Sequence, residues 1–124
     1  MSTITILTNG SLLTMDDGAV LKKADLWIRD GRILKIVPAD RSNEHPETAD
    51  IQDCSGCVIM PGLIDSHVHY DESYMGEMFI ASGVTSVRNM RGYAEHALWR
   101  DEILAGKRIG PYIYSSGPVY DGED

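Results

Sequence analysis

Two histidines separated by a single residue, His67 and His69, are the side chains in this sequence best suited to metal chemistry. Side chains alternate along a strand, so Asp65, His67 and His69 are expected on one face. Two strand rises place the Cα atoms of the histidines about 7 Å apart. Both ring nitrogens can then reach one ion at the ~2.0–2.1 Å that zinc requires. The pattern predicts a two-histidine metal chelate, and the alternative is a polar strand face that binds nothing.

The elements around this pair favour the metal site. The histidines end an apolar strand, Leu63 to His69, which opens a series of alternating strands and helices. A helix is predicted over Glu72 to Ser82, with Ser73 near its N-cap and Gly83 at its end. Alternating strands and helices indicate a parallel sheet, and in such folds catalytic groups lie at the carboxyl ends of the strands. The later predicted elements are a strand over Val84 to Arg88, a helix over Ala94 to Ala105 and a strand over Ile109 to Ser115.

The residues before Met60 predict antiparallel β structure, which divides the chain into two predicted domains, 1–60 and 61–124. Asp30-Gly31 is the strongest hairpin signal. Asn9-Gly10 predicts a turn or a bulge. The predicted elements of this part are strands over Thr3 to Leu7, Leu12 to Met15, Ala24 to Arg29, Arg32 to Val37 and Ile51 to Met60, a turn at Asp16-Asp17-Gly18, and a polar loop over Pro38 to Ala49. Within the strand after the hairpin turn, alternation places Leu34 and Ile36 on one face and Ile33 on the other.

Composition and charge limit the classes of function. The 124 residues carry a net charge of −8 and are 43% hydrophobic, which is typical of a globular chain. An acidic chain is a poor ligand for nucleic acid or an anionic membrane, so we expect neither as a partner. No apolar run approaches the ~20 residues that span a bilayer, no secretory signal is visible, and two cysteines cannot form a disulfide framework. We therefore expect a soluble, cytoplasmic protein.

The stretch PGLIDSHVH at residues 61–69 resembles the first barrel strand of the amidohydrolase superfamily, which ends in a His-x-His metal motif. ADLWIRDGRILKI and IQDCSGCVIMPGLID are similar to the β-sandwich that precedes the barrel in that family. GVTSVRNM and RDEILAGKRIGPYIYSSGPVYDG are similar to the second and third barrel units of its imidazolonepropionase-like and Xaa-Pro-dipeptidase-like branch.

The resemblance implies an α/β protein with part of a β-sandwich followed by a (β/α)8 barrel. The implied activity is metal-dependent hydrolysis of non-peptide C–N bonds or of small dipeptides. His67 and His69 would bind one of one or two divalent metals, with zinc expected. Such an ion lowers the pKa of a bound water and polarises the scissile carbonyl. Asp65 would orient a ligand histidine, or would be a buried carboxylate bonded to backbone or water.

The length of the chain departs from this family. A full (β/α)8 barrel takes about 250 residues, whereas residues 61–124 suffice for three strands and two helices. In the family, the other ligands and the aspartate that shuttles the proton come from later strands. We therefore expect an N-terminal segment with no catalytic residue of its own, which alone is inactive and binds zinc weakly or not at all. The unpaired edge strands of its incomplete parallel sheet predict a homo-oligomer or association with the missing C-terminal part. The alternative is a non-catalytic folding or interaction module that self-associates or pairs with a missing partner.

Other polar residues carry weaker predictions. Arg88 and Asn89 end the second predicted barrel strand, where they would touch substrate or serve in packing or an ion pair. Cys54 and Cys57 form a C-x-x-C within predicted β structure, without the second pair that a zinc site needs. Two further histidines are expected to be solvent-exposed: His45 and His96.

Overall fold

The computed structural model describes residues 3–16, 20–38 and 45–122. The chain forms two compact units, Met1–Pro61 and Gly62–Asp124. Neither helix of the described ranges has the length and apolar character needed to cross a bilayer. The predicted turn at Asp16-Asp17-Gly18 and the predicted polar loop over Pro38 to Ala49 lie partly outside the described residues.

The described part of the first unit is one sheet of five strands. They are β1 (Thr5–Leu13), β2 (Val20–Arg29), β3 (Arg32–Pro38), β4 (Asp50–Asp53) and β5 (Val58–Ile59). β1 pairs antiparallel with β2, and β2 pairs antiparallel with β3. On its other side, β1 pairs parallel with β4 and with β5. The residues buried in this unit include Ile6, Leu12, Ala24, Leu26 and Trp27.

The prediction of a purely antiparallel first part was therefore wrong for β4 and β5. Two antiparallel pairings give β3 the same direction as β1. β4 runs parallel to β1 along the edge of β1 that does not pair with β2. A parallel pairing is made through a crossover connection and not through a tight hairpin. The polar residues between β3 and β4 predict a connection, but they do not indicate the direction of the strand that follows.

Asn9-Gly10 forms a bulge inside one continuous strand and not a turn between two strands. Asn9 has a φ of 61°, and the register of β1 against β2 shifts between Leu7 and Gly10. A Cβ at Gly10 would lie 2.5 Å from Cδ1 of Ile59, so only glycine fits against that side chain without displacing it. Of the two interpretations of this dipeptide, the structure shows the bulge.

The hairpin predicted at Asp30-Gly31 is confirmed. Both residues have positive φ, 52° and 69°, as a type I′ turn requires. The pairing of β2 with β3 shifts between Trp27 and Ile28, where Lys35 and Ile33 are the successive partners. This bulge places Ile33 and Ile36 along the same apolar groove of about 290 Å³. The prediction that Ile33 lies on the opposite face from Ile36 was wrong, because strict alternation does not pass through a bulge.

The second unit is a three-stranded parallel sheet in the order β6-β7-β8. Its elements are β6 (Leu63–Val68), α1 (Met75–Ala81), β7 (Val84–Asn89), α2 (Ala94–Leu104) and β8 (Tyr112–Ser115). The predicted alternation of strands and helices is confirmed. α1 begins later than predicted, with Tyr74 as its N-cap, so Ser73 lies next to the cap as predicted but does not itself cap the helix. Gly83, with a φ of 78°, follows the end of α1 as predicted.

The two helices cover an apolar layer of the second sheet. Val68, Tyr70, Val87 and Ile113 form the buried cluster. The helices contribute the side chains that pack on it, among them Met75, Phe79, Trp99 and Ile103. This packing holds the carboxyl ends of the three strands side by side, and the histidine pair lies at that end of β6.

Candidate metal centre

His67 and His69 lie side by side at the carboxyl end of β6. Their rings are stacked, with centroids 5.7 Å apart and planes inclined by 15°. Both side chains are exposed. Two imidazoles that bind one tetrahedral ion at about 2.0–2.1 Å place their ring centres roughly 5–5.5 Å apart. The observed spacing is close to this range, and turning the nearly parallel rings would bring one nitrogen of each onto a shared divalent ion.

Asp65 acts on the main chain of His67. Its Oδ1 accepts a hydrogen bond from the His67 N–H at 3.1 Å. The bond spans a register shift, because Asp65 pairs with Val87 and Val68 pairs with Asn89, so three steps on β6 face two on β7. Asp65 thus closes a bulge over Ser66 and His67, and the strict alternation that predicted Asp65 on the face of the two histidines does not pass through it. Its carboxylate fixes the direction of the strand at His67 through the backbone, and not through the imidazole.

The described chain places two imidazoles side by side, which could offer two nitrogen donors to such an ion. Within residues 3–16, 20–38 and 45–122, no group of three or more His, Cys, Asp or Glu side chains could hold a metal. Zinc sites take three or four protein ligands. The donor chemistry of His67 and His69 fits a borderline-soft divalent ion, and an ion held there would need further ligands from outside the described residues.

Arg88 and Asn89 are neighbours in β7 but have different surroundings. Asn89 is fully buried, and its amide is bonded at both ends. Arg88 is exposed and lines a cavity of about 410 Å³. The other residues that line this cavity are Ile64, Ser66, Tyr114, Ser115 and Ser116. Of the two residues, only Arg88 lines a space that a ligand could occupy.

His96 is buried, so the prediction of a surface histidine was wrong. The residue is 2% exposed and stands at the third position of α2. Its Nδ1 accepts a hydrogen bond from the Tyr93 N–H at 2.9 Å, and its Nε2 lies 2.6 Å from the carbonyl oxygen of Tyr70. The third helical position is where a polar side chain reaches back to the N-cap backbone. The place of His96 at the third position of α2 was therefore the sequence feature that could have predicted its hydrogen bond to the backbone.

His45 is half-buried, with 24% of its side chain exposed, so it is less solvated than predicted. Its Nε2 lies 2.9 Å from Oδ2 of Asp25, which is 1% exposed. The imidazole ring packs 5.8 Å from the ring of Trp27. A carboxylate within the apolar strand Ala24 to Arg29 needs a partner if it is buried. Asp25 was therefore the residue from which a buried polar pair could have been predicted. No neighbouring residue in the sequence identifies His45 as its partner.

Cys54 and Cys57 flank a tight turn between β4 and β5. The Cys57 N–H donates to the Cys54 carbonyl at 2.9 Å, and Gly56 between them has a φ of 79°. Both thiols are free. The cysteine spacing here follows the geometry of a β-turn, which differs from the strand predicted for this segment.

Comparisons with known proteins place these features in context. No protein-family profile matches the chain. The chain is 29% identical over 87 residues to adenine deaminase 2 of Bradyrhizobium sp. (strain ORS 278), a match that covers 66% of this chain and 14% of that protein. It is 40% identical over 77 residues to imidazolonepropionase of Bacillus velezensis, covering 52% and 18%. A prolidase-like protein of Bifidobacterium longum superposes with a TM-score of 0.81 at 32% identity, covering 97% of this chain and 32% of that one.

The chain therefore spans a small part of its relatives: 14% and 18% of the two enzymes and 32% of the solved structure. The homologous enzymes are hydrolases that act on carbon–nitrogen bonds.

Proposed function

We propose that this chain is the segment of a metal-dependent hydrolase of the amidohydrolase superfamily that supplies His67 and His69 as metal ligands. The observation that carries the proposal is the stacked pair of exposed imidazoles at the end of β6, 5.7 Å apart. We propose zinc as the metal, because imidazole nitrogen is a preferred zinc ligand. The remaining ligands and the general base belong to later parts of the protein. The proposed location is the cytoplasm.

The proposed architecture assigns each unit to a larger domain. Residues 61–124 would form the start of a (β/α)8 barrel, with β6, β7 and β8 as its first three strands. Their parallel pairing and helical connections support this assignment. Residues 1–60 would form part of a β-sandwich, since a single sheet with an apolar groove needs a second layer.

The proposed reaction is hydrolysis of a C–N bond in a small non-peptide compound or a dipeptide. When bound, the metal would lower the pKa of a water molecule towards neutrality and polarise the scissile carbonyl. His67 and His69 hold the ion, and Asp65 fixes the backbone before them. Arg88 lines one cavity together with the hydroxyl-bearing residues Tyr114 and Ser115, and its guanidinium would bind and orient an anionic end of the substrate there. Asn89 is buried and makes no contact with substrate.

A second candidate function, a non-catalytic interaction module, is favoured by the exposed apolar residues of the first unit. Ile33 is 65% exposed and Ile36 is 38% exposed, both along the apolar groove. Such a surface associates with the rest of the protein or with a second copy. Light scattering with intact-mass measurement distinguishes association with the rest of the protein from association with a second copy. A stable monomer whose chain ends at Asp124 would contradict both forms of association.

Metal binding tests the proposed function. In the protein at its full natural length, we expect His67→Ala and His69→Ala each to abolish stoichiometric binding of Co²⁺ or Zn²⁺ and the hydrolase activity. His45→Ala is the control, because it removes a histidine from the first unit and leaves the pair intact. Metal content after dialysis, measured by elemental analysis, is the readout. Retention of one equivalent of metal in both ligand variants would refute the proposal.

A further inference from the structure

The peptide that follows His69 is held by two buried side chains from different elements. The N–H of Tyr70 donates to Oδ1 of Asn89 at 3.1 Å. The carbonyl oxygen of Tyr70 lies 2.6 Å from Nε2 of His96. Asn89 and His96 are 0% and 2% exposed. We infer that Asn89 and His96 position His69 for metal binding by fixing the main chain on its C-terminal side. The inference rests on the proposed function of the histidine pair.

The other hydrogen bonds of Asn89 settle which of its atoms faces Tyr70. Its Nδ2 donates to the carbonyl oxygen of Arg91 at 2.7 Å and to Oγ of Ser115 at 3.2 Å. A carbonyl only accepts, so the nitrogen must be on that side and the oxygen must accept from Tyr70. Asn89 therefore ties the residue after the histidine pair to the ends of β7 and β8.

The tautomer of His96 follows from the same reasoning. A backbone N–H only donates, so Nδ1 of His96 accepts the hydrogen bond from Tyr93 at 2.9 Å. A backbone carbonyl only accepts, so Nε2 carries the proton and donates it to the Tyr70 carbonyl. Both ring nitrogens are used, and the neutral imidazole links the start of α2 to the segment after His69.

Asn89 and His96 hold the chain beyond the last backbone hydrogen bond between β6 and β7. The ladder between β6 and β7 closes with the Met90 N–H donating to the Val68 carbonyl at 2.9 Å, before His69 is reached. Asn89 and His96 then hold Tyr70, whereas Asp65 holds the N–H of His67 at 3.1 Å. The histidine pair is thus fixed on both sides through the backbone.

The ring of Tyr70 strengthens this arrangement. It is fully buried and packs 5.1 Å from Trp99 and 5.5 Å from Phe79. The residue therefore cannot leave its position without opening the core. Loss of partners that orient metal ligands typically lowers metal affinity about 10–100-fold, and we expect an effect of this size here.

The test uses the protein at its full natural length and Co²⁺ as the probe. The variants Asn89→Leu and His96→Phe remove the hydrogen bonds to Tyr70 at similar volume. His96→Gln is the conservative variant, because a glutamine amide can accept from Tyr93 and donate to Tyr70. Val87→Ala is the matched control, since it weakens the same buried cluster and leaves both side chains that hydrogen-bond to Tyr70 unchanged. The readouts are the dissociation constant for Co²⁺ and the positions of its visible absorption bands, which report the ligand geometry.

We expect Asn89→Leu and His96→Phe to bind Co²⁺ about 10–100-fold more weakly with shifted bands, and His96→Gln to restore both properties. Val87→Ala should leave affinity and bands unchanged despite a lower midpoint of unfolding. The positioning role is overturned if the first two variants bind as the native protein does, or if Val87→Ala weakens binding equally. His67→Ala in the same titration separates the two proposals. If it retains the metal, the proposed function fails and the positioning role fails with it.

Hydrogen exchange in the native protein covers the case in which the two stronger variants do not fold. The Tyr70 amide should exchange at least about 100-fold more slowly than an unprotected amide, because its partner is buried. Exchange at the unprotected rate would overturn the inference without any variant.

Discussion

Gly76, the second residue of α1, lies directly against the hydroxyl of Tyr70. A Cβ at this position would overlap that hydroxyl and would lie 2.9 Å from the carbonyl oxygen of Ile109. Tyr70 is fully buried, so its ring cannot swing into solvent to make room. We therefore predict that Gly76→Ala destabilises the second unit, although alanine is the better helix former.

The magnitude follows from two opposing effects. Overpacking a core typically costs about 1–3 kcal/mol, whereas replacing glycine by alanine within a helix gains up to about 1 kcal/mol. The net loss in the free energy of unfolding should be about 1–2 kcal/mol. The Tyr70 hydroxyl has no hydrogen-bond partner among the described residues, so Tyr70→Phe loses no such bond and removes the closest obstacle. In the Tyr70→Phe background the cost of Gly76→Ala should fall by about 1 kcal/mol, which is the coupling between the two sites.

Urea unfolding of the four members of this double-mutant cycle measures the coupling. Trp99 packs 5.1 Å from Tyr70, so with every other tryptophan replaced by phenylalanine its fluorescence reports the second unit alone. Gly117→Ala is the matched control, because a Cβ there meets no atom within 4 Å. Equal stability of Gly76→Ala and the native protein would refute the packing argument. An equal loss with and without the Tyr70 hydroxyl would refute the assignment of that hydroxyl as the obstacle.

Three further predictions concern the pH dependence of the second unit and two positions in the first. Burial raises the pKa of the Tyr70 hydroxyl above its ordinary value of 10.0, so the unfolded chain loses this proton first and stability falls as the pH rises past that value. Urea unfolding from about pH 8 to about pH 11 should show this decline, and Tyr70→Phe should flatten it. His45→Ala should lower the free energy of unfolding of the first unit by about 1–3 kcal/mol, because it leaves the buried Asp25 without its partner. An unchanged midpoint relative to the exposed-site control Glu47→Ala would contradict this. Gly31→Ala should cost about 1–2 kcal/mol at a φ of 69°, whereas Gly31→Asn should cost less, and thermal unfolding compares them.

Much of the local structure could be predicted from single segments. Asp30-Gly31 specified its hairpin because few residue pairs tolerate positive φ at both turn positions. Gly83 marked the end of α1 because glycine readily adopts the positive φ that often follows a helix. The period of a strand was sufficient to bring His67 and His69 to one side, where their rings stack. Each of these features depends on backbone preferences within a few neighbouring residues.

Register and strand direction depended on the partner strands. The bulges at Asn9, between Trp27 and Ile28, and after Asp65 each shift one strand by a residue relative to its neighbour. Such a shift is set by how both strands pack and twist together, and alternation within one of them does not contain it. For the same reason the sequence predicted Ile33 on the wrong face.

The sequence by itself determined the hairpin of the first unit and the adjacency of the histidine pair. It also determined the alternation of strands and helices in the second unit and the glycine that ends α1. The tertiary structure alone decided which buried polar groups meet. His45 lies 20 residues from Asp25 along the chain, and His96 lies 26 residues from Tyr70. Each of these histidines follows ordinary surface patterning in its own segment. Its burial becomes favourable only when folding brings a carboxylate or a carbonyl from a distant segment to its ring nitrogens, since an unpaired polar group in the core would cost more than its packing contributes.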